Sequence, residues 1–82
     1  MLDNKKELEV FIKDILDAIT AILEYTHGMS YSEFLNDRKT RDAVVRNLEI
    51  VGEAANNIPS VIRTHHADIP WLDIIGMRNK MI

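Results

Sequence analysis

The stretch Val44-Val45-Arg46-Asn47-Leu48-Glu49-Ile50-Val51-Gly52-Glu53-Ala54-Ala55-Asn56-Asn57-Ile58-Pro59 decides the fold class of this chain. Val44, Val45, Leu48, Val51, Ala55 and Ile58 recur at helical steps, which lines one side of a helix with apolar groups. Arg46, Glu49, Glu53 and Asn57 form a polar stripe, since positions 46, 53 and 57 nearly coincide on a helical wheel. Traced backwards, the pattern begins near Asp37 to Thr40. It stops at Ile58-Pro59, because the residue before a proline is driven away from helical geometry. A long amphipathic helix is therefore expected, and it needs a second apolar surface to lie against.

Upstream, Leu8, Phe11, Ile12, Ile15, Ile19, Ile22 and Leu23 recur at steps of three and four and predict another long helix, from about Asn4 to His27. Leu16 and Ala18 widen its apolar stripe. Asn4 followed by Glu7 is a candidate start cap, and Thr26-His27-Gly28 supplies a C-terminal stop with a glycine tolerant of positive φ. Ser30-Tyr31-Ser32-Glu33 is a capping-box pattern that opens a short helix carrying Phe34 and Leu35. Downstream, Ser60 to His66 reads as a short helix burying Val61 and Ile62. Asp68-Ile69-Pro70 then starts a last helix, where proline is tolerated in the first turn because its missing N–H had no partner there. Trp71, Leu72, Ile74, Ile75, Met77, Met81 and Ile82 supply its apolar surface.

Strand-like alternation, internal repeats and low-complexity linkers do not occur, so the pattern predicts an all-α fold: an antiparallel helical bundle of two long helices plus shorter ones. No proline or glycine closes the last helix. It is therefore expected to be incomplete, with residues 1–82 forming one helical domain that lacks its C-terminal part. The two long helices together offer about a dozen large aliphatic side chains for burial, each contributing roughly 1.5–3 kcal/mol when fully removed from water. Ordering the chain costs a comparable amount. A homodimer, whose interface includes Met77, Met81 and Ile82, is the expected remedy.

At 82 residues the chain is one domain at most. It contains no cysteine, which excludes disulfide staples and thiolate-ligated zinc. No apolar run approaches the roughly 20 residues that span a bilayer, and Leu2-Asp3-Asn4-Lys5-Lys6-Glu7 leads into an amphipathic pattern instead of a signal sequence. These features predict a soluble cytoplasmic protein with no membrane partner. The net charge of −3 argues against broad electrostatic capture of nucleic acid, while ten Lys and Arg still allow a local basic site.

Arg78 carries the chemical case. Its guanidinium is permanently charged and presents a planar fork matched to phosphate oxygens. Arg78-Asn79-Lys80-Met81-Ile82 begins an Arg-Asn-x-x-x-His signature and stops one position short of the histidine. Together with the Arg41-to-Ala54 segment and Trp71-Leu72-Asp73-Ile74-Ile75-Gly76-Met77, which cover most of the chain in order, it resembles the HepT-like branch of the HEPN superfamily. That resemblance implies a small helical endoribonuclease toxin that needs neither metal nor cofactor. Its arginine and histidine promote attack of a ribose 2′-hydroxyl on the adjacent phosphate of an RNA substrate. It further implies a partner, a minimal nucleotidyltransferase antitoxin, which neutralises the toxin by transferring AMP to a tyrosine two residues after the histidine.

On a helix, Asn79 and the position after Ile82 would share a face, with Arg78 about 100° round. Arg78 and Asn79 are thus the candidate catalytic residues. Arg46 and Asn47 have two readings: members of a solvated face, with an Arg46–Glu49 pair contributing a few tenths of a kcal/mol, or RNA contacts lining the cleft beside Arg78. His65, His66 and Asp68 offer possible metal ligands, but adjacent histidines cannot share one helical face, and a connecting loop fits them better. His27 reads as a C-terminal capping residue. Tyr25 and Tyr31 could stack on bases, yet packing with the ring buried is the commoner use of such tyrosines. Two other function classes stay open beside the ribonuclease: a non-catalytic helical partner of a nucleotidyltransferase, and a purely structural dimerising bundle.

Overall fold

The computed structural model describes residues 4–76, apart from the side chain of Asn4. The expected cap at Asn4 and the expected surface at Met77, Met81 and Ile82 therefore lie outside the described residues. Five helices follow one another: α1 (Asn4–Thr26), α2 (Tyr31–Asn36), α3 (Arg38–Asn57), α4 (Ser60–His65) and α5 (Trp71–Ile75). No strand occurs among the described residues. The fold is an all-α bundle.

The helix boundaries are built locally. α1 ends at Thr26, and Gly28 then adopts a φ of 75°, the left-handed turn that a glycine makes without strain. Ser30 caps α2 in a full capping box: its hydroxyl accepts from the Glu33 N–H at 3.1 Å, and its own N–H donates to the Glu33 carboxylate at 2.9 Å. Asp37 caps α3 by accepting from the Thr40 N–H at 3.0 Å and from the Thr40 hydroxyl at 2.9 Å. At the far end of α3, Ile58 is extended and Pro59 follows it. Pro70 sits at the N-cap of α5, one position earlier than the first-turn place expected for it.

α1 and α3 form the main packing pair. Leu8 and Ile12 share a groove with Ala55 and Ile58, whereas Asp14 and Ala18 lie beside Asn47 and Ile50, so the two helices run antiparallel. The core is small. Ala18, Val44, Val51, Ala54, Ala55 and Ile58 are buried, and among the described residues no large side chain is sealed completely. Ala18 and Ala54–Ala55 let the backbones approach closely, at the cost of little apolar area per residue.

This corrects the expectation that the long helices bury about a dozen large aliphatics. Ile12, Leu16, Ile19 and Leu23 remain 43 %, 58 %, 41 % and 65 % exposed. They are spaced i, i+4, i+7 and i+11, so they form one continuous stripe along α1. The apolar arc of α1 is wider than α3 can cover. Two shorter elements also differ from expectation. Val61 points outward at 63 % exposure while Ile62 is half-buried, and Leu72 is 82 % exposed while Ile74 and Ile75 pack inward. A six-residue and a five-residue helix each present only one side to a neighbour.

Candidate functional site

Gly52 determines how α5 docks. It is buried in α3, and a Cβ built on it would stand 3.1 Å from the Ile75 carbonyl oxygen and 3.3 Å from that of Ile74. Glycine in a helix interior costs about 1 kcal/mol relative to alanine. Here its bare Cα admits the last turn of α5 against α3. The chain segment that leads into Arg78 is thereby set on α3. Arg78 and Asn79 themselves lie outside the described residues. The role of Gly52 was missed in the sequence, although an isolated glycine inside a strongly helical pattern is itself a signal of close backbone approach.

One side-chain hydrogen bond spans the connection between α4 and α5, and another lies within α4. The Trp71 indole N–H donates to the His66 carbonyl at 3.0 Å, and His65 Nδ1 lies 2.8 Å from the Val61 carbonyl. His65 closes α4 and His66 follows it as C-cap, so the pair sits where a helix gives way to a loop. Among the described residues no group of His, Asp and Glu is placed to hold a metal ion.

Two concave surfaces flank Trp71. One is an apolar groove of about 610 Å³, lined by residues of α1 and α3 together with Ile62, His66, Ile69, Trp71 and Ile74. The other is an open trough of about 720 Å³ between α4 and α5, with Ser60, Arg63, Thr64, Trp71 and Asp73 among its walls. Arg63 is half-buried there. Its Nε is shut off from solvent, and its side chain has no hydrogen-bond or ion-pair partner among the described residues.

Arg46 and Asn47 point to different surroundings. Arg46 is exposed on the outer side of α3, with Nη1 4.0 Å from the Glu49 carboxylate. Asn47 is half-buried and donates to the Ala43 carbonyl at 2.9 Å, lining a small hollow with Asp14, Asp17, Ala18 and Ile50. The carboxylates there give that hollow a negative field. Asp17 is paired with Lys13 at 2.7 Å, and the lysine pKa is raised by that hydrogen bond and by the Asp17 charge. The remaining members of the polar stripe stay on the outside, with the Asn57 amide returned to the Glu53 carbonyl at 3.1 Å.

Tyr25 and Tyr31 are 48 % and 76 % exposed, so neither ring is buried as the packing reading expected. His27 is exposed beyond the end of α1. No helix among the described residues is long and apolar enough to cross a membrane.

A helical bundle whose last described turn leads into Arg78-Asn79 has the outline of a HEPN-type nuclease. Comparison with known proteins narrows that class. The family model for "Ribonuclease HepT-like" matches residues 15–82, a range that includes Arg78 and Asn79. A Thermococcus cleftensis protein named as a probable ribonuclease HepT is 42 % identical over 95 % of this chain and 71 % of its own length. Two Methanocaldococcus jannaschii proteins provisionally named RNases are 38 % and 41 % identical over 95 % of this chain and 64 % of their own lengths. This chain belongs to the ribonuclease HepT-like family. It spans about two thirds of the length of these relatives. No solved structure gives a significant match.

Proposed function

We propose that this protein is a metal-independent endoribonuclease toxin, the RNA-cleaving member of a HEPN and minimal-nucleotidyltransferase pair. The observation that carries this reading is the family match, which names a ribonuclease and runs through Arg78 and Asn79. Arg78 stabilises the charge that builds on the phosphate as the neighbouring 2′-hydroxyl attacks. Asn79 stands four positions before the place after Ile82 where a histidine would move the protons. The protein acts in the cytoplasm as a homodimer, and residues 1–82 belong to one helical domain. Its antitoxin silences it by AMP transfer to a tyrosine beyond the histidine.

Cleavage of a labelled single-stranded RNA by the gene product and its Arg78→Ala variant tests this. Arg78→Ala is expected to lower turnover by on the order of 10² or more while helicity is kept. Chelation of divalent ions should leave cleavage intact once RNA folding is controlled. Equal cleavage by both proteins would remove Arg78 from the mechanism. One feature favours a second reading, a non-catalytic helical partner of a nucleotidyltransferase: the exposed stripe Ile12, Leu16, Ile19 and Leu23 gives α1 an apolar face suited to another protein. Absent cleavage together with tight binding of the nucleotidyltransferase would select it.

A further inference from the structure

We propose that the trough between α4 and α5 is a nucleotide-binding subsite that holds a single-stranded RNA segment, with Arg63 on a phosphate and Trp71 against a base. The proposal rests on the ribonuclease reading and adds to it a site away from the Arg78 motif. Three observations point the same way. Arg63 is half-buried without a partner among the described residues, and its Nε is sealed from water. Withdrawing a guanidinium N–H from solvent is costly unless a hydrogen-bond acceptor repays the lost hydration. Nothing in α4 or the following loop does so.

The second observation is the company Arg63 keeps. Ser60, Thr64 and Trp71 line the same trough, which thus combines a cation, two hydroxyls and an aromatic ring. Thr64 donates its hydroxyl proton to the Ser60 carbonyl at 2.9 Å and retains its lone pairs as acceptors. The Trp71 N–H is committed to the His66 carbonyl at 3.0 Å, which fixes the ring in orientation. A fixed ring is a stacking surface of the kind that sequence-tolerant RNA binding uses. A carboxylate from a partner protein would satisfy Arg63 but would make no use of the ring. Asp73 also lines the trough.

The third observation is position. Trp71, Leu72 and Asp73 of the trough belong to α5, and the sequence reaches Arg78 two residues after the last described position, Gly76. RNA held here therefore lies against α5, the helix that precedes the motif in sequence. An overall negative protein, with a net charge of −3, needs such local capture in place of a broad basic surface.

The test measures binding of a fluorescein-labelled 2′-O-methyl single-stranded RNA, which the proposed 2′-hydroxyl attack cannot cleave, to the gene product across a salt series. Arg63→Met keeps the apolar stem and removes the charge. It is expected to weaken binding about tenfold and to flatten the log–log salt dependence by about 0.7, the value of one phosphate contact on a single strand. Its melting temperature should be unchanged or higher, because an unpartnered half-buried charge has gone. Arg63→Lys should keep the salt slope and recover part of the affinity.

Unchanged affinity and slope in Arg63→Met, in a protein that still cleaves RNA, would overturn the subsite while leaving the ribonuclease reading intact. A protein that neither binds nor cleaves RNA would overturn both. Equal loss of affinity and of melting temperature in the Met and Lys variants would make Arg63 a structural residue and overturn the subsite. So would a changed dimer mass with RNA affinity unmoved, which would make Arg63 a protein contact.

Discussion

Between α2 and α3 the chain turns on its own side chains, whereas neither α4 nor α5 has a side-chain cap at its start. Ser30, Glu33, Asp37 and Thr40 satisfy the first N–H groups of their helices within a few residues of sequence. The other corner, about 30 Å away along a 20-residue α3, has Pro59 and Pro70 at the cap positions and relies on tertiary contacts. α5 is placed by the bare surface of Gly52. One corner is locally determined, and the other takes its shape from what it packs against. The trough lined by Arg63 and Trp71 lies at the second corner, where a rearrangement is least opposed by local structure.

The largest way to break this contrast is Gly52→Leu. If α5 is held only by close approach to α3, a side chain there must push away a backbone carbonyl that already stands 3.1 Å from a Cβ position. A loss of about 3 kcal/mol in urea unfolding is expected. The amide signals of α5 should shift more than those of α2. A variant as stable as the parent, with α5 undisturbed, would show that something other than Gly52 positions that helix.

The same contrast explains what could be read from sequence. The capping box at Ser30, the start of α3 at Asp37, the glycine stop at Gly28 and the proline stop after Ile58 each depend on a few neighbouring residues, and each was legible. The all-α bundle was legible too, because apolar periodicity specifies helices with one buried side. Periodicity does not specify which part of a wide arc finds a partner. Leu8, Phe11, Ile12, Leu16 and Leu23 look equivalent in sequence, yet Leu8 and Phe11 are half-buried while Leu16 and Leu23 are exposed. Val61 and Leu72 fail for the same reason. Arg63 gave no signal at all, since its isolation is a fact of packing. Arg78 and Asn79 remain legible only as a motif, being outside the described residues.

A smaller effect is expected at the first corner. Ser30→Ala removes the hydroxyl that accepts from Glu33 N–H, and a good N-cap contributes about 1 kcal/mol. The loss should be confined to α2 and the start of α3 in hydrogen exchange, with α5 unaffected. Equal loss of protection at both corners would mean that they unfold as one unit, and the distinction between local and tertiary control would fail.

The smallest effect is a local response to acid. The Glu33 carboxyl is held below its ordinary pKa first by the Ser30 backbone N–H and then by the Ser30 hydroxyl. Asp37 is held below its own by the Thr40 N–H first and then the Thr40 hydroxyl. A depressed folded-state pKa means that the unfolded chain takes up protons more readily than the folded one. The stabilisation is therefore present above the ordinary carboxylate range of about pH 4 and is lost as pH falls through the lower folded values. Both carboxylates face solvent, so screening keeps the effect modest. In an NMR titration the Ser30 and Thr40 amide protons should both move below about pH 4, as their carboxylate acceptors, Glu33 and Asp37, become protonated. Ser30→Ala keeps the backbone N–H and removes the hydroxyl, so it should bring the Glu33 midpoint only part of the way back toward its ordinary value and leave that of Asp37 in place, because the two caps share no hydrogen bond. A joint shift of both midpoints would reveal a coupled corner.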